Sequence, residues 1–479
     1  MLFKKDADKA FGVNAYMFPK MEEAIQLWQQ LESGTPPWVD KNTKTVKFSN
    51  TVARELSKLI TQNIDIKVQS KYGTRDKSDF IQKALDDHFL LNAQDNMETV
   101  IRLGGIMAKW NGSGIDYITP DMFIVTEYDS NKKITGVIFF SYYTKDNKFY
   151  TRAEWHRYDY INRKNDAGET ETVKVYKVSN KAFVSDNIDE IGREISLKNT
   201  KWADIVPEFT AEKLEKPLYT YIKNPYSNTI DKECPLGVSL FSECIEELRW
   251  LDIAMSTMGT ETETSAPMMM VDQSVIQYAN MHGIKIPKFI VKTGLDLSGD
   301  GSKPAEQWQP QLQVSSRVEG INFYLSIISY KCGFDPGFFV FDGHNISMAT
   351  ATQVESTERR TVNTVLSYRS LLDRPNSNGD GRVGAIHDIA YIIDAMSVIN
   401  GESLPEDYGN YELYCDFADI TENKQEDMLI DLQLANQGYM SKAKFLVLHR
   451  GYTEAEARKM VEDARNEAEQ KSSSLFGEE

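Results

Sequence analysis

The sequence predicts an α+β protein built from several modules, and three observations carry that reading. Roughly the first hundred residues have helical periodicity, the stretch after them alternates as antiparallel strands, and two long striped helices farther on bracket a short β-like segment. At 479 residues the chain exceeds what one hydrophobic core serves, which fits two to four structural units.

The elements follow in order. Met21 to Leu31 carries Ile25, Trp28 and Leu31 on one face, and the stretch after Ser49 carries Val52, Leu56, Leu59 and Ile60. A third helix is expected after "KSDF", running toward Trp110, where "NGSG" stops it. "MFIVTEYDSNKKITGVIFFSYYT" reads as strand, turn, strand, and "TKDNKFYTRAEWHRYDYI" adds another strand after a second turn. "RKNDAGETETVKVYKVS" is a further hairpin, with Val173 and Val175 facing opposite to Lys174, so about four or five short strands are expected here.

From Leu236, "LGVSLFSECIEELRWLDIAMSTMGTETET" places Leu240, Cys244, Leu248, Leu251, Met255 and Met258 on one helical stripe. From Gln313, "QVSSRVEGINFYLSIISYKC" does the same with Val314, Val318, Ile321, Leu325, Ile328 and Cys332. Stripes this narrow pack on a partner helix, so Leu248, Leu251, Ile321 and Leu325 are expected in a shared seam. The other side of the first helix bears Glu243, Glu246, Glu247, Asp252, Glu261 and Glu263 against Arg249 alone, a one-signed solvated face. Between the helices, "APMMMVDQSVI" and "GIKIPKFIVKTGLDL" look like strands, and "SGDGSKP" is a turn-rich loop.

After Cys332 comes "GFDPGFFVFDGHN", a Gly/Pro/Asp loop with three phenylalanines, then "ISMATATQVESTERRTVNTVLSYRSLL". Thr352 and Glu355 are spaced as a capping box, so a long helix is expected to begin at Thr352. "DRPNSNGDGRVG" breaks it, and "AIHDIAYIIDAMSVI" forms the next helix. From Thr421 the chain reads as helical and polar, with a second capping box at Thr453 and Glu456 and a loose tail at "SSSLFGEE".

Composition excludes several function classes. Hydrophobic content of 41% and aromatic content of 11% belong to a folded protein. The formal charge of -17, from 54 Lys+Arg against 71 Asp+Glu, argues against a wide basic surface that grips nucleic acid or an anionic membrane. It leaves room for a protein past which nucleic acid slides. Cys234, Cys244, Cys332 and Cys415 lack CxxC spacing and nearby paired histidines, so buried free thiols in a reducing compartment are expected. "MLFKKDADKAFG" has no apolar stretch behind its lysines, and no apolar run approaches the ~20 residues of a membrane helix, so no secretory signal and no membrane are expected.

No GxxxxGK[ST], HExxH or zinc-deaminase pattern occurs, and the six histidines are scattered, so no catalytic residues and no cofactor are assigned. "NSNGDGRVGAIH" resembles a calcium loop in placing Asn376, Asn378 and Asp380 at positions 1, 3 and 5, with Gly381 at 6. His387 stands where the bidentate Glu belongs and only one carboxylate remains, so a turn-rich link between helices is the simpler reading.

The order of elements, together with "LGVSLFSECIEELRWLDIAM", "YKCGFDPGFFVFDG" and "MATATQVESTERRTVNTV", resembles the portal proteins of tailed bacteriophages, in the subgroup from phages of Gram-positive hosts. Thr350, Ala351, Thr352 and Val354 match that family's helix start after a Gly-rich aromatic loop, and "FYTRAEWHRYDY" and "GYMSKAKFLVLHRGYTEAEARKMVE" look like it too. The sequence departs from it at "DRPNSNGDGRVG", where the family has a more continuous helix.

The resemblance implies a virion protein, assembled in the host cytoplasm into a ring of about twelve copies at one capsid vertex. Double-stranded DNA would pass through without sequence specificity, and the terminase motor, head-completion or adaptor proteins, major capsid protein and scaffolding protein would be partners. It divides the chain into a wing at 1–235, a stem helix at 236–264, a clip at 265–312, a second stem helix at 313–335, the tunnel loop and long wing helices at 336–420, and a crown with tail at 421–479. On this resemblance Phe338, Phe339, Phe341, His344, Asn345, Ile346, Ser347, Met348 and Thr350 form a DNA-facing tunnel loop, and Glu243, Glu246, Glu247 and Asp252 the acidic stem face. Another head-tail connector or a minor head protein would share the ring. A DNA-processing enzyme would need clustered carboxylates or a nucleotide loop, and a calcium-dependent adhesin would lean on "NSNGDGRV" and a signal peptide.

Overall fold

A computed structural model of the chain describes residues 10–13, 15–71, 75–111, 114–164, 170–212, 214–264, 268–271, 273–285, 290–292, 305–308, 313–341, 359–376, 381–400, 408–417, 431–437, 439–450, 457–462 and 464. They fall into two compact units, Met1–Ala418 and Asp419–Glu479, and the architecture is α+β.

Four of the described helices lie early in the first unit. α1 (Pro19–Ser33) starts on a proline that needs no intrahelical N–H, stops at Gly34 in the left-handed conformation, and buries Met21, Ile25, Trp28 and Leu31. α2 (Phe48–Thr61) buries Val52, Ala53, Leu56 and Ile60. After strand β1 (Ile64–Ser70), α3 (Arg75–His88) and α4 (Ala93–Leu103) complete the group.

The helix expected to reach Trp110 ends at Leu103 instead. Gly104, at φ 85°, turns the chain, and 105–110 becomes β2 (Gly105–Trp110). A Cβ at Gly104 would collide with the backbone of Gly237, so the turn is also a close approach of two segments far apart in sequence. β2 lies between β3 (Ile115–Ile118) and a strand that arrives much later, β10 (Tyr219–Lys223), both antiparallel to it.

The hairpin region forms one six-stranded sheet. β4 (Phe123–Tyr128), β5 (Ile134–Lys145), β6 (Lys148–Lys164), β7 (Thr170–Ser185) and β8 (Arg193–Ile195) follow in order, and β9 (Glu208–Glu212) pairs with the other end of the same edge of β7. Asp146 and Asn147, at φ 51° and 57°, close a two-residue turn between β5 and β6, the geometry that matches the strand twist. The strands are longer than expected: β6 has 17 residues and β7 16. One face of the sheet packs Ile124, Ile138, Phe140, Ala153 and Phe183 together. Tyr176 and Val178 pack with Leu218 and with Ala395 of a later helix.

A charged cluster lies between this sheet and β2. Lys109, on β2, is buried and reaches Glu154 Oε2 on β6 at 2.6 Å; Arg152 Nη2 donates to the same oxygen at 2.9 Å. His156 Nε2 meets Glu154 Oε1 at 3.0 Å, and its Nδ1 lies 2.6 Å from the Tyr176 hydroxyl, which accepts the Leu218 N–H at 3.1 Å. That chain of donors fits a neutral imidazole with its proton on Nε2. Burial by itself would raise the Glu154 carboxyl, but Lys109, His156 and Arg152 together hold it well below the usual carboxylate range. Burial lowers the His156 imidazole, against the pull of Glu154.

After β10 the chain reaches the two long helices. α5 (Ile245–Thr264) begins at Ile245, later than the expected Leu236. Residues 236–244 are instead tied to the end of α4 and β10: Leu240 N–H donates to Ile101 O at 3.0 Å, and Asn224 Nδ2 to Val238 O at 2.8 Å. A helix there would forfeit these bonds and drive Gly237 out of contact with Gly104.

The intervening module is β11 (Met268–Val271), α6 (Gln273–Met281), β12 (Ile290–Lys292) and β13 (Ala305–Trp308), in the order β12-β11-β13. Residues 273–281 are helical where a strand continuation is expected. β11 and β12 are parallel, and a parallel pair needs a crossover, which the helix provides. α7 (Val314–Lys331) returns the chain.

α8 (Arg359–Leu372) is described from Arg359, so the expected start at Thr352 and Glu355 lies outside the described residues, as do Thr453 and Glu456. Past α8, β14 (Arg374–Pro375) and β15 (Arg382–Val383) form a small hairpin before α9 (Ala385–Ile399). β16 (Tyr411–Phe417) pairs along its full length with β1, joining the two ends of the first unit. In the second unit Lys442–Arg450 is helical.

Glu154→Gln would leave Lys109 buried without a carboxylate, and should cost about 3–5 kcal/mol in urea denaturation at pH 7. Both Glu154 and His156 have depressed values in the folded chain, so the unfolded chain binds more protons. Wild-type stability should therefore fall as pH drops below about 6.5 for His156, and again below about 4.3 for Glu154. An unchanged urea midpoint for the variant at pH 7 would remove the cluster from the stability argument.

Candidate functional site

The sequence-assigned site residues centre on α5, α7 and the loop that follows. Arg317 Nε meets Glu261 Oε2 at 3.0 Å, and Lys331 Nζ meets Glu247 Oε1 at 2.7 Å. Between these contacts one helix advances fourteen residues while the other recedes by fourteen, so the helices are antiparallel with one constant register over about 21 Å. Leu248 and Leu251 of α5, and Ile321, Leu325 and Ile328 of α7, are buried. At one end the Cys244 and Cys332 thiols lie 3.8 Å apart. Burial weakens toward the other end, where Met255, Met258 and Val318 are half-buried and Val314 is exposed.

The acidic face is smaller than the sequence suggests. Asp252 is a correction: it is 4% exposed, and its carboxylate accepts Trp38 Nε1–H and the Val46 N–H, each at 2.9 Å. One helical turn on, Ser256 Oγ accepts the Lys44 N–H at 2.8 Å, so the connection between α1 and α2 is strapped along α5. Glu247 and Glu261 are spent across the seam, and Glu246 lies 3.5 Å from Arg249. Glu243 and Glu263 are exposed, while the Glu243 carbonyl accepts Lys331 Nζ at 2.7 Å.

α7 ends in a glycine cap. Gly333, at φ 81°, donates its N–H to Tyr330 O at 3.2 Å, and Phe334 N–H donates to Ser329 O at 2.9 Å. Thr364 Oγ1 donates to Gly333 O at 2.7 Å and Thr361 Oγ1 to Asp335 Oδ2 at 2.9 Å, clamping the loop onto α8. A side chain on Gly333 would strike Thr364.

The phenylalanines divide. Phe334 is buried, and Phe339 is a second correction: it packs against Phe334 at 5.1 Å and Phe48 at 5.2 Å instead of facing outward. Phe338 and Phe341 are exposed, Phe341 at 71%. His344, Asn345, Ile346, Ser347, Met348 and Thr350 lie outside the described residues.

The calcium-like pattern is not assembled by the residues that can be placed. Asn376 N–H donates to Gly381 O at 3.0 Å, closing the β14–β15 turn, and Asn378 and Asp380 lie outside the described residues. His387, at the twelfth loop position, is held 2.9 Å from buried Asp373, which also binds Arg382. Among the described residues no group of three or more His, Cys, Asp or Glu could hold a metal ion.

Outward-facing aromatics on the helix pair escaped the sequence reading. Trp250 on α5 and Phe323 and Tyr330 on α7 are exposed, Phe323 at 61%. They sit off the buried stripe, and that was the available signal: large apolar residues at positions the helical period assigns to solvent. Arg360 stacks on Tyr330 at 3.9 Å and donates to its carbonyl at 2.8 Å.

No family model matches the chain, and no curated protein matches it. Among solved structures, a chain from the neck of an empty GTA particle, computed with C6 symmetry, is similar over 94% of this chain and 99% of its own, at 9% identity and a TM-score of 0.46.

The thiol pair tests the seam. Mild oxidation should join Cys244 to Cys332 within one chain. The reaction should be slow at neutral pH and faster as pH rises, because the hydrogen bond with Cys244 and then burial push the Cys332 thiol up and keep thiolate scarce. Peptide mapping should find that one bridge, absent in Cys332→Ser. Bridges through Cys234 or Cys415 would contradict the register.

Proposed function

We propose that this chain is a portal protein: the ring subunit at one capsid vertex through which double-stranded DNA is packaged and ejected. The observation that carries the reading is the antiparallel helix pair bracketing a small β module, with Trp250, Phe323 and Tyr330 left uncovered on its outer sides. Large aromatic side chains exposed in this way on a single chain fit a contact with another. A ring repeats one heterologous contact, in which one patch of a subunit meets a different patch of the next, so closure would cover these aromatics. The ordered motifs quoted above, from the stem to the Thr-led helix start, support the same reading.

In the proposed ring the module of β11, β12 and β13 is the clip on which the terminase motor and later the head-completion proteins dock. Capsid and scaffolding proteins would meet the outer modules. The acidic balance suits a conduit: a wall of many lysines would release counterions on contact and hold the duplex, whereas weakly acidic or neutral walls leave it mobile. The chain is proposed to have no enzymatic activity of its own, so ATP hydrolysis and DNA cleavage belong to partners.

Native mass measurement should find closed assemblies of about twelve copies of the 54.6 kDa chain, visible as rings with a central hole by negative stain. Leu325→Asp, which puts a charge into the seam at a cost of several kcal/mol, should abolish rings. A monomer at high protein concentration under all salt conditions would sink the proposal. A ring that never supports DNA packaging would favour another head-tail connector.

Replacing Asn345 and Ser347 by lysine tests the proposed tunnel loop. Two added positive charges per subunit, screened over about 8 Å, should slow or arrest DNA movement while ring yield stays at the wild-type level. Packaging at wild-type efficiency through intact lysine-bearing rings would mean that this segment does not face DNA.

A further inference from the structure

Away from the helix pair, the β4–β5 turn, β10 and the first turn of α9 meet around a cavity of about 200 Å³. Four lysines line it: Lys132 and Lys133 from the turn, Lys216 just before β10, and Lys223 at its end. One carboxylate, Asp388 of α9, is present. It is occupied by Lys216 at 2.7 Å and by the Thr220 hydroxyl at 3.2 Å. Lys132, Lys133 and Lys223 make no ion pair among the described residues, and the Lys223 ammonium donates only to the neutral Pro235 carbonyl, at 3.3 Å. Three lysines without an ion pair among the described residues thus line one recess in a chain whose formal charge is -17.

The arrangement is held in place. Asp129 accepts the Lys133 N–H at 2.8 Å through its carboxylate and the Lys132 N–H at 2.9 Å through its carbonyl, and Lys132 sits at φ 61°, a conformation uncommon for a residue with a side chain. Lys223 is half-buried, and burial and then the neighbouring Lys132 push its ammonium below its usual range. Like charges brought together repel, and an anion placed beside these lysines would offset that repulsion.

We propose that this recess binds phosphate, either as the free inorganic ion or as the terminal phosphate of a small phosphoester. Three lysines suit a compact, doubly charged group with several acceptor oxygens. The volume exceeds that of the ion itself, and Tyr221 and Tyr391 supply walls against which an ester substituent could lie. The assignment is independent of ring formation.

Calorimetric titration of the full chain with inorganic phosphate, against chloride at matched ionic strength, tests it, with a phosphate monoester as a second titrant to distinguish the two sources. One saturable site per chain is expected, weakened roughly tenfold by Lys223→Met and by Lys132→Ala, and unchanged by Lys198→Ala on an exposed stretch elsewhere. Lys133 is exposed, so Lys133→Gln serves if the half-buried Lys223 proves necessary for folding. Tighter binding of the monoester would assign the ester source, and equal or weaker binding the free ion. No saturable heat beyond chloride, undiminished affinity in the turn variants, or displacement of phosphate by short duplex DNA would each overturn the proposal.

Discussion

The contact on which the first unit depends is a salt bridge in the wrong place. Lys109 and Glu154 belong to different sheets, and both are buried where apolar side chains would ordinarily meet. An isolated buried charge costs several kcal/mol, so neither residue is tolerable without the other. Arg152 and His156, on the same face of β6, fill the remaining positions around the carboxylate, and Tyr176 passes the chain of hydrogen bonds to the backbone at Leu218. A hydrophobic contact would tolerate sliding. This one fixes where β2 and β10 lie on the hairpin sheet, because a shift of one residue on β6 would turn all three polar side chains to the opposite face.

From that fixed point the position of the long helices follows by short steps. β2 begins where Gly104 turns out of α4, and Gly104 touches Gly237 so closely that neither position admits a Cβ. Asn224, at the end of β10, bridges the two segments through the carbonyls of Ile101 and Val238. The chain then reaches Ile245 with its direction already set. Asp252 secures the helix from its other side by taking Trp38 and the backbone of Val46. A helix anchored at its base by a glycine contact and along its length by a buried carboxylate is a rigid support, which is what the uncovered aromatics beyond the seam would require of it.

What could be read from the sequence is what repeats locally. The stripes containing Leu248, Leu251, Ile321 and Leu325 declare themselves through the helical period, and the hairpins through alternation and turn residues. Elements defined by distant partners do not. β1 pairs with β16 near the far end of the same unit, and nothing in either heptapeptide names the other. β2 was hidden because its inner residues are buried on both faces, so "GIMAKW" lacks alternation and continues the preceding helix without a visible break except Gly104. The same limit applied to charge. Glu246, Glu247 and Asp252 look alike as letters on one helix, but the first is exposed, the second is spent on Lys331, and the third is buried under Trp38.

That difference in fate changes how the net charge should be understood. A formal -17 suggests a uniformly negative surface, but on α5 most of the carboxylates are committed to contacts inside the chain. Charge that is neutralised within a few ångströms contributes little beyond one screening length of about 8 Å. On the proposed function, the field that a passing polyanion would meet here would be set by the few described residues left over, Glu263 on this helix and Glu243 just before it, and by the cations that remain unmatched elsewhere. In the proposed ring a duplex would not need strong repulsion to stay mobile. It would need the absence of a deep electrostatic minimum, and pairing charges along the seam would achieve that with less mutual repulsion between the proposed subunits than a bare acidic wall would impose.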